Sequence, residues 1–454
     1  MKTVDEGRRR TLEIDFHPDA AKRFNELGDK LREAVRVVKK TLIAQETSFN
    51  PYPAANVNAE DVIGKITWTE RICDGLGNEA GRLWMRRGEY VGLIDDGYEE
   101  LKTVAKGLEK VPSLRGRVRF EFLLDEICSW LEAAVGGSGE PLVKHISRRC
   151  QSAIQEYEIW VPLFGVHGKQ EFPIGGVRFR SFSTAMMERF FAPRPEQPLP
   201  DPARQRLDRL RSQLQGYLAA CVTLTAEKKT AQVSARAIAQ EAIALLRFLS
   251  PANWILGMQS YCLARGRERI EMPMELFVRN GEIAEISNAA LKHGPILWDI
   301  DQERARFPGV LDLLHGLSDN HSGDFRGQLY DALLLYSRNS TASEIADKLV
   351  FVLVSLESML LKDSNEPITK NIGERMAFLI GQSVDERKAI VQNVDASYRI
   401  RSKFIHHGNS VEDSEVIERF FEYAWQSFHA MLCQIDEFAT KAALLEALEN
   451  RKLS

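Results

Sequence analysis

Hydrophobic residues in the last third of the chain recur at helical spacing, and turn residues separate them into segments. The apolar positions from Ile345 to Leu360 line one face of a predicted first helix. Thr341 and Glu344 before it have the spacing of a capping box, which favours a helix start there. Pro367 can begin a second helix that runs to Gly381.

A third and a fourth helix follow from the same kind of pattern. Ser383 and Glu386 form a second predicted capping box, which opens a helix whose end is marked by Gly408. A long aromatic-rich segment after residue 413 predicts the last helix. We therefore expect a C-terminal bundle of four to five helices over residues 305–454.

The middle of the chain, residues 156–304, is predicted to mix strands with helices. Alternating apolar and polar residues predict a strand pair near 158–182 and a hairpin near 269–286. A proline-rich stretch at 192–202 predicts a stiff loop. Helical spacing over 204–224 predicts that a helix follows this loop.

The first region, residues 1–155, is predicted to be helical. The segments Ala20–Leu42 and Arg117–Val135 both have apolar residues at helical spacing. The expected fold class is therefore mainly α, with a mixed α/β N-terminal region ahead of the C-terminal bundle.

Composition narrows the class of protein. The 454 residues carry a formal net charge of -4, which argues against a protein that coats nucleic acid broadly but leaves room for a local basic cleft. Six scattered cysteines without C-x-x-C spacing argue against a disulfide scaffold and favour a reducing cytoplasm. The apolar segment 349–361 is too short to span a membrane. We expect a cytoplasmic protein that does not enter a membrane.

The candidate chemistry lies at the end of the third predicted helix. Arg401 and His406 are five positions apart, so on a regular helix they diverge by roughly 140°. They can face one point if the last turn is distorted, or if a symmetric dimer brings two copies of the segment together. Either arrangement would gather imidazole and guanidinium groups around one phosphate.

That set of groups suits RNA cleavage by transesterification. Histidine titrates near neutral pH and can take the proton from a 2′-hydroxyl or give one to the leaving 5′-oxygen. Arginine stays charged and donates two hydrogen bonds to the phosphate. The reaction needs no metal and no cofactor, and the histidines show no metal-ligand spacing. It would be specific for RNA, since DNA lacks the 2′-hydroxyl.

Residues 398–408, YRIRSKFIHHG, resemble the signature of the HEPN superfamily, in which four to six residues separate Arg from His. The Arg-Ser pair followed by apolar residues and His-Gly is most similar to the ApeA-like branch. The resemblance covers about 341–448, including 356–361 and 374–377, and a weaker likeness lies near 159–179.

The resemblance implies a HEPN-like helical bundle whose catalytic pair is Arg401 and His406. It further implies an endoribonuclease that acts as a homodimer through this bundle, in antiviral defence, abortive infection or a toxin system. The N-terminal region would then sense a trigger, such as a phage-derived molecule, or restrain activity.

Several residues near the motif have open roles. His407 is a rival for the catalytic histidine, and Arg399 also lies within the motif's permitted spacing. Ser402 and Tyr398 belong to the motif's surroundings. Glu357 either orients Arg401 or Arg399 from a buried position, or is a partly exposed carboxylate at the bundle edge. The alternative function is a non-catalytic HEPN-type module that dimerises or binds nucleotides or RNA.

Overall fold

A computed structural model gives the fold of most of the chain. The residues it describes are 14–38, 71–73, 76, 78–86, 89–135, 137, 139–192, 201–260, 262–265, 274–279, 282–288, 298–363, 365–407 and 414–453.

The elements up to residue 190 are helices and short strands. In chain order they are α1 (Pro18–Ala34), β1 (Arg36–Val38), β2 (Arg71–Cys73), β3 (Glu79–Arg86), β4 (Glu89–Ile94), α2 (Asp95–Glu109), α3 (Phe120–Val135), α4 (Leu142–Ala153), β5 (Gln155–His167), β6 (Phe172–Ile174), β7 (Val177–Ser181) and α5 (Thr184–Phe190).

Helices dominate the rest of the chain. The elements are α6 (Asp201–Leu214), β8 (Tyr217–Ala226), α7 (Lys228–Leu246), β9 (Leu263–Ala264), β10 (Met274–Arg279), β11 (Glu282–Asn288), β12 (Trp298–Asp299), α8 (Ile300–Arg306), α9 (Val310–Asp319), α10 (Asp324–Tyr336), α11 (Ile345–Leu360), α12 (Ile368–Ile380), α13 (Val384–His407), α14 (Ser414–Cys433) and α15 (Lys441–Leu453).

The chain packs into two compact units. The first contains Met1–Ile159, Arg194–Asp208 and Thr223–Ala235, and the second contains Trp160–Pro193, Arg209–Val222 and Arg236–Ser454. The mainly helical class is confirmed. The predicted boundary at residue 155 lies four residues before Ile159, where the longest segment of the first unit ends. The predicted boundary at residue 304 falls inside the second unit.

The first unit combines helices with a sheet that the sequence analysis missed. Its four antiparallel strands lie in the order β1-β4-β3-β2. The helix predicted over Ala20–Leu42 ends at Ala34 and β1 begins at Arg36, so the prediction is wrong for residues 35–38; residues 39–42 lie outside the described part of the chain. Val37 and Val38 are β-branched, which favours extended backbone there. Helices α1 to α4 share an apolar core that includes Leu31, Leu101 and Trp130.

The mixed sheet of the second unit has the strand order β12-β5-β8-β7-β6. We expected the strands near 158–182 to pair with each other, but β8 lies between β5 and β7. The prediction of a helix over 204–224 is wrong after Leu214. Gly216 adopts φ 82°, which ends the helix, and the β-branched Val222 continues the chain as a strand.

The hairpin predicted near 269–286 is confirmed, because β10 and β11 pair antiparallel. Its predicted turn residues, 280 and 281, lie outside the described residues. So does most of the predicted proline-rich loop, residues 193–200. The end of that loop is shorter than predicted, since Asp201 and Pro202 already belong to α6. Proline is compatible with the first turn of a helix.

The C-terminal helices begin and end largely as the sequence predicted. Pro367 and Gly381 flank α12. Ser383 and Glu386 form the predicted capping box of α13, in which each backbone N–H donates to the other residue's side chain at 3.2 Å. Gly408, the predicted end of that helix, lies outside the described residues.

Two details of this region differ from the prediction. Thr341 does not cap α11, because its hydroxyl donates to the carbonyl oxygen of Arg338 and the helix starts only at Ile345. Helix α14 is not the last one, since α15 follows it after Cys433. Residues buried in the bundle core include Leu353, Leu356, Met376, Val394, Phe420, Phe428 and Leu448.

Candidate active site

The candidate site lies on α13 in the second unit. Its capping box begins a single helix of 24 residues that ends at His407. Tyr398 and Arg401 are three positions apart, so they lie on one face of this helix, separated by about 60° around its axis. The helix therefore places Arg401, the arginine of the predicted catalytic pair, beside the tyrosine that precedes it in the motif.

Tyr398 links α13 to α11. Its side chain is 9% exposed, and its hydroxyl donates a 2.9 Å hydrogen bond to Oε1 of Glu357. Burial raises the pKa of Tyr398 far above its usual value, and the neighbouring Glu357 carboxylate raises it further. The phenol is therefore a neutral, fixed donor that holds the carboxylate near the helix face carrying Arg401.

The hydrogen-bond partner of Glu357 is Tyr398, which was not among the partners expected from the sequence. Glu357 is half-buried on α11, and its hydrogen bond comes from Tyr398 rather than from Arg401 or Arg399. A carboxylate in such a place needs a donor to offset lost hydration, and the phenol supplies one. Its negative charge remains available to attract a nearby cation.

Arg401 is half-buried and lies close enough to Tyr398 for its positive charge to oppose the rise in the tyrosine pKa. Its Nε is buried and has no hydrogen-bond partner among the described residues. An unsatisfied buried donor is costly, so this N–H is suited to an acceptor brought by a ligand. A phosphate oxygen is such an acceptor.

Two other motif residues point elsewhere. Arg399 is exposed and forms an ion pair with Asp395 at 2.9 Å, one helical turn away. Ser402 is exposed to solvent. The structure therefore groups Tyr398, Glu357 and Arg401, and does not bring Arg399 or Ser402 into that group.

The two histidines are described only by their backbone. His406 and His407 form the last residues of α13, and their side chains lie outside the described part of the chain. Because the α-helix continues through His407, the distorted last turn that would bring His406 round to Arg401 is not observed. The second of our two routes, a symmetric pair of helix ends, is the one that a regular helix favours.

A buried arginine on the neighbouring helix was missed by the sequence analysis. Arg375 of α12 is 2% exposed, donates to both carboxylate oxygens of Glu366 at 2.7 and 2.9 Å and contacts Glu449 at 3.1 Å. The spacing of Arg375 from Ile372 and Leu379 already places it on the apolar face of α12. That spacing was the available signal for a buried ion pair.

No group of three or more His, Cys, Asp or Glu side chains in the described part of the chain is arranged to hold a metal ion. Among the same residues, no helix is both long and apolar enough to cross a membrane.

Comparison with known proteins gives no match to a family model, a curated protein or a solved structure. The likeness to the HEPN superfamily therefore rests on the residues of the motif and on their helical setting.

Proposed function

We propose that this protein is a metal-independent endoribonuclease of the HEPN superfamily, of the ApeA-like kind, with Arg401 and His406 as its catalytic pair. The observation that carries the proposal is the state of Arg401. Its guanidinium lies beside the Tyr398–Glu357 pair and has a buried Nε without a partner among the described residues. A cation with an open donor suits a reacting phosphate.

The proposed reaction moves two protons and exchanges two P–O bonds. A base removes the proton of the 2′-hydroxyl, and the resulting oxygen forms a bond to phosphorus. The bond from phosphorus to the 5′-oxygen breaks, and an acid protonates that oxygen. A cyclic 2′,3′-phosphate and a free 5′-hydroxyl result. His406 suits the proton transfers, and Arg401 suits the charge that grows on the phosphate.

A complete site is proposed to need two copies of the chain. Arg401 and His406 diverge by roughly 140° on a regular helix, and α13 stays helical to His407. A two-fold axis near the helix end would bring His406 of one copy toward Arg401 of the other. Homodimerisation through the C-terminal helices is therefore part of the proposal.

The biological role is proposed from the resemblance alone. The N-terminal region would sense a trigger, and the released nuclease would act in antiviral defence. Cells that carry the wild-type protein should then show fewer phage plaques than cells with the His406→Ala variant. Equal plaque counts for both, and for an empty control, would remove the defence role and leave the nuclease untouched.

The direct test is cleavage of RNA in EDTA. Wild-type protein should cleave RNA but not the matching DNA, and the products should carry cyclic phosphates. His406→Ala and Arg401→Ala should each lower kcat by at least about a hundredfold. Lys388→Ala, which removes an exposed cation from the same helix, is the matched control and should cleave normally.

The outcome also decides between an enzyme and a binding module. Activity that needs a divalent metal, or that survives both substitutions, would contradict the proposed mechanism. RNA binding without cleavage, unchanged in His406→Ala, would favour the non-catalytic alternative. Folding of each variant should be verified by circular dichroism, so that loss of structure is not mistaken for loss of chemistry.

A further inference from the structure

A small aromatic pocket lies in the second unit, on residues that the proposed cleavage does not use. Its volume is about 280 Å³, and its lining residues are Trp254, Arg306, Phe307, Glu422, Trp425 and Gln426. Ligand pockets of drug-sized molecules begin at roughly 300 Å³. The pocket therefore suits a smaller planar group.

The innermost wall, Trp425, is held rigidly. Its Nε1 donates a 2.9 Å hydrogen bond to the carbonyl oxygen of Phe248. Its ring also stacks on Phe248, with centroids 5.5 Å apart, and on His429, with centroids 5.1 Å apart. These contacts fix Trp425, so that it forms a stable wall of the pocket.

Trp254 and Phe307 form a corner beside Trp425, with ring centroids 5.2 and 4.7 Å from its own. Their ring centroids are 6.0 Å apart and their planes meet at 77°. Both rings are half-buried, so part of each remains accessible. A flat ring entering this corner would stack on one of them and meet the other edge-on, which are the favoured arrangements of aromatic pairs.

Two charged side chains that line the pocket, Arg306 and Glu422, determine which kind of ring it can attract. The guanidinium of Arg306 lies over both rings, 5.5 Å from the centroid of Trp254 and 5.1 Å from the centroid of Phe307. A cationic ligand would be repelled by it, although aromatic cages otherwise bind quaternary ammonium groups. A neutral ring that carries a phosphate would instead be attracted, because an exposed guanidinium binds phosphate well.

Glu422 supplies the second criterion. Its carboxylate lies at the rim, where one hydrogen bond, 3.2 Å long, comes from the exposed Arg419. A carboxylate has room for several donors. The Watson–Crick edge of guanine presents two adjacent N–H donors, whereas that edge of adenine pairs one donor with an acceptor. Glu422 can accept both bonds from guanine but only one from adenine.

We propose that this pocket binds the guanine base of a nucleotide. Stacking on Trp254 or Phe307 would supply affinity, Glu422 would select guanine, and Arg306 would receive the phosphate. The proposal goes beyond RNA cleavage and does not depend on it. The guanine can come from a free nucleotide or from an RNA chain.

The test is equilibrium binding to the full-length protein. Calorimetry with GMP, AMP and choline, and anisotropy with short labelled RNAs that differ only in carrying G or A, would be compared across variants. Glu422→Gln keeps the shape of the side chain and removes its charge. Glu418→Gln changes an exposed carboxylate on the same helix and is the matched control. Trp254→Leu removes the proposed stacking surface.

Wild type should bind GMP at least about tenfold more tightly than AMP. Glu422→Gln should abolish that preference. Trp254→Leu should weaken the binding of GMP about tenfold or more. Glu418→Gln should bind both nucleotides as wild type does. Binding of GMP would identify the free nucleotide as a ligand, and selective binding of the G-containing RNA alone would identify RNA; either supports the pocket.

Three results would overturn the proposal: no binding of any guanine ligand, equal binding of GMP and AMP, or tighter binding of choline. If Arg401→Ala still binds GMP, the aromatic pocket is a different site from the proposed cleavage site. A wild type that cleaves RNA but binds no guanine ligand would remove the pocket's role and leave the nuclease standing.

Discussion

Arg375 and Glu366 are joined by two hydrogen bonds, 2.7 and 2.9 Å long, between the planar guanidinium and the carboxylate. The guanidinium also donates to the carbonyl oxygen of Leu360 and to Glu449 of α15. One buried arginine therefore ties the end of α11, the start of α12 and the last helix together. Removing one partner of such a pair leaves the other buried without compensation.

We predict that this pair makes the protein sensitive to acid. Hydrogen bonds from Arg375 hold the pKa of Glu366 at about 2, below its usual 4.5. The stabilisation is complete above the unfolded value and is lost as the pH falls from about 4.5 toward 2. A shift of this size corresponds to on the order of 3 kcal/mol. In Glu366→Gln, that part of the pH dependence should be absent.

The measurement is the free energy of unfolding by urea at pH values between 6 and 3. The difference between wild type and Glu366→Gln should narrow as the pH falls. Glu446→Gln, which changes an exposed carboxylate on α15, should run parallel to wild type. A difference that stays constant with pH would show that Glu366 does not titrate as predicted.

A second prediction concerns alkaline pH and a buried lysine. Lys348 is 1% exposed, and its Nζ donates to the carbonyl oxygens of Ala252 and Met258. Burial lowers its pKa from 10.5 to about 8. Between these values the unfolded chain holds a proton that the folded chain has released, so stability rises with pH.

Relative to Lys348→Met, wild-type protein should therefore gain stability between pH 8 and about 10.5, by on the order of 3 kcal/mol in total. Urea unfolding of both proteins across that pH range measures the difference in their free energy of unfolding. Lys388→Met removes an exposed lysine and should leave the pH profile unchanged. A flat difference between wild type and Lys348→Met would contradict the prediction.

A third prediction assigns Tyr398 a positioning role. Tyr398→Phe removes the donor to Glu357 and frees that carboxylate to move relative to Arg401. We expect kcat for RNA cleavage to fall about ten- to a hundredfold, since small displacements beside a catalytic group can have effects of this size. KM and the pH–rate profile should stay near wild type, because Arg401 and His406 are unchanged.

The double variant separates positioning from stability. If the pair acts as a unit, Tyr398→Phe combined with Glu357→Gln should lower kcat no further than the stronger single change. Thermal unfolding measured in parallel reports stability. Additive losses in kcat, or a fall in kcat that merely follows the melting temperature, would argue against a positioning role.

A fourth prediction tests whether the site is shared between two chains. Arg401→Ala and His406→Ala should each be inactive alone. When they are mixed and allowed to exchange subunits, about half of the dimers become mixed, and each of these has one intact site of two. The mixture should recover about a quarter of wild-type activity. No recovery despite verified exchange would place both residues of a site in one chain.

A local signal sufficed to predict the start of α13, whereas no local signal predicted the partners of β8. Ser383 and Glu386 satisfy each other three residues apart, so a short stretch of sequence suffices to place the start of α13. The position of β8 between β5 and β7 depends on residues far apart in the chain. Periodicity over 204–224 could not show where helix changes to strand at Gly216.

The candidate site was predictable only along one helix. The shared face of Tyr398 and Arg401 follows from their spacing. The partner of Glu357 does not, because it depends on how α11 packs against α13, 41 residues later in the chain. The aromatic pocket escaped the sequence analysis for the same reason: Trp254, Phe307 and Trp425 come from three separate segments and meet only in the fold.

The unbroken course of α13 has a consequence for control. A helix of 24 residues is a rod of ~36 Å with the Ser383 cap at one end and His407 at the other. While the helix stays intact, its backbone moves as one body. For the proposed nuclease, a signal that tilts, slides or rotates this rod would move Tyr398 and Arg401 together, even if the signal acts at the distant Ser383 end.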